Sequence, residues 1–288
     1  MALWDKIGSS GDVEDRRGMN TGGIALTSVS GLVIFLLFAF LGGGSSSNGS
    51  VLEQVLNQAG TPQTDSSQQS TEFQGADQYE TFTRRVLGSN NDTWQAIFQA
   101  QGKEYTNPKL VLFRQMTQSG CGVASSAVGP HYCPLDQAIY LDETFFDELQ
   151  QRFGGSSGDV AQAYVIAHEA GHHVQNQLGT MDRATQAQQD NPDQANQISE
   201  TLELQADCYA GIWMNSISAE GILEPGEIKQ ALSAAAAVGD DHIQKTQTGT
   251  TNPETWTHGS SEQRVKWFTA GYNTGKLSSC DTFGSSGI

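Results

Sequence analysis

His168, Glu169 and His172 are the residues of this sequence best placed to do metal chemistry. They stand in the string His-Glu-Ala-Gly-His, and on a helix positions four apart lie on one face, one turn from each other. Both imidazoles can therefore reach one cation. Glu169, beside the first of them, can accept a proton from a water on that cation. Imidazole and carboxylate ligands suit Zn²⁺, which takes three protein ligands in a catalytic site and keeps a fourth position for water. His173 points elsewhere on the helix and reads as a bystander or a supporting group. Such a short motif arises often by accident, on a surface helix with histidines on it. Here the flanks are apolar, with Val160, Ala163, Ala167, Ala170 and Val174 at helical spacing.

A second pattern follows in Thr-Leu-Glu-Leu-Gln-Ala-Asp-Cys-Tyr-Ala-Gly, residues 201–211. Glu203 and Asp207 are four apart and share a helix face. One carboxylate facing the histidine pair completes three protein ligands. A second, one turn on, can accept the other ring N–H of a ligand histidine and fix its tautomer. Leu202, Leu204, Ala206, Tyr209, Ala210 and Trp213 surround these acids, and acids in apolar company usually have partners.

HExxH followed by ExxxD on a second helix resembles the gluzincin type of zinc metallopeptidase. The longer strings Gly-Pro-His-Tyr-Cys-Pro-Leu-Asp, His-Glu-Ala-Gly-His-His-Val-Gln, Glu-Leu-Gln-Ala-Asp-Cys-Tyr-Ala-Gly and His-Gly-Ser-Ser-Glu-Gln-Arg resemble the bacterial neutral zinc metallopeptidases, a membrane-anchored family. The resemblance covers residues 76–283 and an N-terminal Glu-Asp-Arg-Arg-Gly. It implies that His168, His172 and Glu203 hold zinc, that Glu169 is the general base and that Asp207 supports a ligand histidine. Glu200, three residues before Glu203 on nearly the same face, is the rival third ligand, and the ExxxD pattern favours Glu203. The implied reaction is hydrolysis of a peptide or protein substrate. Its oxyanion needs a donor besides the metal. His258 is the candidate, since its surroundings resemble a segment after the last core helix of gluzincins; Tyr209 and Tyr140 are weaker ones. Arg264 can pair with an acid of the site or with the surface. A scaffold without turnover and a metal-dependent amidase acting on cell-wall peptides are the other readings.

The elements that must carry these residues follow from periodicity and caps. Residues 159–178 form the metal helix, with Asp159 as cap and Gly179 as stop. Asn-Pro-Asp at 191–193 starts a long helix to about residue 216. A further helix begins at Pro225, and Ser-Ser-Glu-Gln at 260–263 reads as a capping box opening a last one. Two helices, 77–87 and 92–101, are split by Gly-Ser-Asn-Asn. Residues 109–116 and 138–141 read as strands, the second either a substrate-accepting edge or plain sheet core. Asp142 caps a helix to residue 153. The predicted class is α+β: a mainly helical zincin-type domain with a small antiparallel sheet, preceded by one transmembrane helix.

That transmembrane helix is residues 24–41, an uncharged run near the lower limit for spanning a bilayer. No clear cleavage site follows, so it reads as an uncleaved anchor. Lys6, Arg16 and Arg17 precede it and no basic residue follows until Arg84. The positive-inside rule then makes residues 1–23 a cytoplasmic tail. Residues 42–75, rich in Gly, Ser, Gln and Asn, read as a flexible linker with a short helix at 51–59. Residues 76–288 form the catalytic domain, outside the cytoplasmic membrane. The net charge of −17 argues against nucleic acid as a partner. Four cysteines allow three pairings. The short Gly/Ser loop between Cys121 and Cys133 favours bridging them, which leaves Cys208 with Cys280. Four unpaired thiols is the other reading.

Overall fold

The computed structural model describes residues 2–18 and 77–286. The apolar run 24–41, the linker 42–75 and its short helix fall outside the described residues. Among the described residues, no helix is long and apolar enough to cross a membrane.

The N-terminal residues belong to the domain. Strand β1 (Asp12–Asp15) pairs in parallel with β2 (Lys109–Leu112), with Val13 opposite Leu110. Ahead of β1, Trp4 and Ile7 are buried in the main core beside Val160, Tyr164 and Trp213. The expectation of a tail is therefore corrected for residues 2–18, which belong to the domain. Trp4, Ile7 and Val13 are apolar anchors whose burial opposite partners far along the chain no local pattern reveals.

Helix α1 (Gln78–Ala100) runs unbroken where two helices were expected. Gly88, Ser89, Asn90 and Asn91 are all buried in its middle, and tertiary contacts override their poor propensity. A Cβ on Gly88 would lie 2.6 Å from the Ser10 nitrogen, so glycine lets the N-terminal segment cross the helix. Ser89 accepts a hydrogen bond from the Trp213 indole and Asn90 one from the Trp94 indole, both at 3.1 Å.

After β2 come the hairpin strands β3 (Met116–Ser119) and β4 (Gly122–Ser125), then β5 (His131–Cys133) and β6 (Ala138–Leu141). A small antiparallel sheet is present, the hairpin β3–β4, but of the strands expected at 109–116 and 138–141 the first ends at Leu112 and the two pair in parallel. Beside it lies a four-stranded mixed sheet in the order β1-β2-β6-β5, parallel except for β5 against β6. All four residues of β6 are buried between β2 and β5, so its role is sheet core, and the edges are β1 and β5.

The remainder is helical. Helix α2 spans Phe145–Phe153, with Asp142 just ahead of it accepting from the Thr144 N–H rather than capping the helix itself. Next come α3 (Asp159–Gln177), α4 (Thr180–Asp190), α5 (Ala195–Ala219), α6 (Ile228–Ala237), α7 (Asp240–Thr248) and α8 (Ser261–Thr274). Gly179, in a left-handed conformation at φ 69°, ends α3 as expected. Asp159 accepts from the Trp4 indole at 2.8 Å instead of capping α3. The capping box of Ser260 and Gln263 opens α8. Helix α4 was not foreseen.

The disulfides are Cys121–Cys133 and Cys208–Cys280, as expected. The first ties the turn between β3 and β4 to the end of β5. The second fastens the middle of α5 to the segment after α8.

Candidate metal centre

Helices α3 and α5 make the site by packing closely. Gly171 of the first motif faces Ala206 of the second, and a Cβ there would sit 3.0 Å from the Ala206 carbonyl oxygen. The absent side chain lets the two helix backbones approach, bringing the imidazoles of α3 within reach of the carboxylates of α5.

His168, His172 and Glu203 each offer one ligand atom, and the three atoms lie within 4.8 Å of one another. The Nε2 atoms of His168 and His172 lie 3.1 and 3.3 Å from the two carboxylate oxygens of Glu203. Each imidazole is held at its other nitrogen. His168 Nδ1 is 2.9 Å from Asp207 Oδ1 and His172 Nδ1 is 2.9 Å from Gln175 Oε1. An acceptor at Nδ1 fixes the proton there and leaves Nε2 free to bind a metal. Two neutral imidazoles and one carboxylate so arranged fit a zinc site with an open position.

Charge favours a cation at the same place. Burial alone would push the His168 pKa down, but Asp207 and Glu203 outweigh it and push it up to about 10. His172 is also raised, by Glu203 against burial. Burial would raise the Glu203 carboxyl, yet the two histidines hold it well below the usual carboxylate range. The pocket thus draws positive charge between its ligands, as protons or as a divalent ion.

Asp207 is fully buried and is itself braced. Arg264 donates to both its oxygens, at 2.8 and 3.0 Å, and the Tyr164 hydroxyl donates to Oδ1. Burial would raise Asp207, but Arg264 and His168 lower it. Sequence reasoning left Arg264 between the site and the surface; at 4% exposure it belongs to the site. Gln175, Tyr164 and Asp240 were missed. Gln175 and Tyr164 had a signal: each stands one turn from a ligand histidine on α3. Gln175 also donates to the Leu202 carbonyl at 2.7 Å, which locks α3 to α5.

Glu169 is buried beside the pair, and among the described residues no hydrogen bond occupies its carboxylate. Glu200 is turned away from the ligand set and accepts from the Gln263 side chain. His258 sits on the loop before α8, where Asp240 accepts from the backbone N–H of Thr257, His258 and Gly259 and from His258 Nδ1 at 3.1 Å. Burial lowers the His258 pKa, but Asp240 and the charge of Glu203 raise it. Of the other donors considered, Tyr140 donates to Asp136, and Tyr209 packs its ring against Trp94. Neither joins the ligand set. His173 is buried between the Tyr132 hydroxyl and the Thr106 carbonyl, and burial lowers its pKa to about 4. It is a neutral core histidine.

The chain is similar in sequence to bacterial proteins. The chain is 41% identical over 295 residues to the uncharacterized protein YpfJ of Escherichia coli K12, covering 98% of this chain and 99% of that one. It is 48% identical over 224 residues to the uncharacterized protein Rv2575 of Mycobacterium tuberculosis H37Rv, covering 74% and 75%. No solved structure matches. A family model described as "Putative neutral zinc metallopeptidase" matches residues 2–283, and the chain belongs to that family.

Proposed function

We propose that this chain is a zinc-dependent peptidase that hydrolyses peptide bonds of a peptide or protein substrate outside the cytoplasmic membrane. The observation that carries the reading is the convergence of His168, His172 and Glu203, with both histidines oriented from behind and Glu169 alongside. Zinc held there would lower the pKa of a water and polarise the scissile carbonyl. Glu169 takes the proton of that water and later delivers it to the leaving amine. Asp207, braced by Arg264 and Tyr164, keeps the His168 ring in place throughout. His258, held by Asp240, donates to the oxyanion in its protonated form. The edge strand β5 is where an extended substrate backbone can pair.

The two disulfides suit an oxidising compartment, which supports a place outside the cytoplasm. Residues 24–41 supply membrane attachment. The strongly acidic chain leaves nucleic acid out as a partner.

The purified full chain should contain about one equivalent of zinc by elemental analysis, as a three-ligand catalytic site holds one ion. It should also cleave casein, an unstructured protein. Zinc without cleavage of casein or of peptidoglycan fragments would support the scaffold reading. Cleavage of the fragments alone would support the cell-wall amidase.

A further inference from the structure

The N-terminal residues and the metal-binding domain form one folded body. β1 holds four register pairs with β2. The Leu3 N–H donates to the Ile222 carbonyl at 2.8 Å, and the Gly11 N–H to the Arg84 carbonyl at 2.7 Å. Arg84 reaches back to the Val13 carbonyl at 2.6 Å. The Trp4 indole bonds to Asp159 on the helix that carries the HExxH motif.

The chain also leaves this body and resumes it at one neck. Arg17, buried just before residue 19, pairs with Asp77 at 2.9 Å, where the described chain resumes after residue 76. It pairs with Asp15 at 2.7 Å as well, and reaches Glu143 at 3.5 Å.

This bears on how residues 24–41 meet a membrane. A single crossing there would put residues 2–18 and 77–286 on opposite faces, so β1 could not pair with β2. A crossing followed by a return needs a second apolar run. Residues 42–75 hold none, and polar backbone does not cross hydrocarbon alone. The basic residues that would place the N-terminus in the cytoplasm already have partners in the fold. Arg17 forms the neck, and Arg16 pairs with Glu14 and donates to the Gln118 carbonyl.

We propose that residues 2–18 and the metal-binding domain lie on the same side of the membrane. This replaces the arrangement in which the N-terminal residues form a cytoplasmic tail on the opposite side from the domain. This holds whether or not the metal centre turns over substrate.

The test labels full chains, expressed in a bacterial host, with a membrane-impermeant maleimide on intact and on permeabilised spheroplasts. Gly8→Cys reports the N-terminal segment; Gly8 is exposed and a Cβ there meets nothing within 4 Å. Gln247→Cys, exposed on α7, reports the domain. The native cysteines are all paired and stay silent. Expected are matching labelling patterns for both variants, whichever side is open. Labelling of Gln247→Cys in intact spheroplasts with Gly8→Cys reached only after permeabilisation would overturn the proposal. A second measurement needs no new thiol. A site-specific protease sequence inserted after Ser67 is cleaved in detergent-purified protein. The N-terminal fragment should stay bound to the domain until denaturant is added, and its release under native conditions would also overturn the proposal.

Discussion

Asp207 shows how much chemistry one buried carboxylate can organise. It holds the ring of His168, and Arg264 and Tyr164 hold it in turn. Loss of such support behind a metal ligand typically weakens metal affinity by about 10- to 100-fold. Arg264→Gln should therefore raise the zinc dissociation constant by about that factor, read by chelator competition. Arg264→Lys keeps the charge but not the two-pronged contact, and should fall between that variant and the wild type. The third ligand has its own check. Glu203→Ala should lose zinc, whereas Glu200→Ala should retain a full equivalent because Glu200 bonds to Gln263 instead. At this scale the sequence was informative wherever the signal was local. HExxH and ExxxD are helical spacings of one turn and need no knowledge of the fold. The Arg264–Asp207 contact joins residues 57 apart through two different helices, and no local period encodes it.

Elements tell a similar story. The ends of α3 and α8 were readable from Gly179 and from Ser260 with Gln263, because stop and cap act within one turn. α1 was misread at Gly88 because that glycine serves a neighbouring segment, not the local backbone. β1 was missed because four residues without a flanking pattern find their partner near residue 110. The neck at Arg17 gives this level its prediction. Burial would raise the carboxyls of Asp15 and Asp77, but Arg17 outweighs it and lowers both below their usual 3.8. Groups lowered in the folded state stabilise it above their ordinary pKa, and that stability fades as pH falls through the lowered values. Arg17→Met should cost about 3 kcal/mol at neutral pH, as removal of one partner from a buried pair does. Thermal unfolding from pH 7 down to 2 should show the gap between variant and wild type closing below about pH 4, where even ordinary carboxyls protonate. A gap that persisted unchanged at the lowest pH would remove Arg17 from the account of acid stability. The Cys208–Cys280 bridge spans 72 residues, and a closed loop of that size contributes about 4 kcal/mol in the chain-entropy picture. Cys208→Ala with Cys280→Ala should lower the melting midpoint accordingly. An unchanged midpoint would mean that the packing of α5 against α8 suffices without the bridge.

At the level of the whole molecule, the class was legible and the boundaries were not. Helical periodicity pointed to a mainly helical domain with a small sheet. Composition pointed to an acidic chain with an apolar run near its start. Composition could not reveal that residues before that run complete the sheet of the domain after it. The central claim remains the chemistry at His168, Glu169, His172 and Glu203, and one variant tests it most directly. Glu169→Gln keeps the size of the side chain and leaves all three ligands in place, but cannot accept the water's proton. Elemental analysis should find zinc as in the wild type. Casein hydrolysis should fall by about 10² to 10⁴, the usual contribution of a general base. Wild-type turnover by zinc-loaded Glu169→Gln would contradict the account.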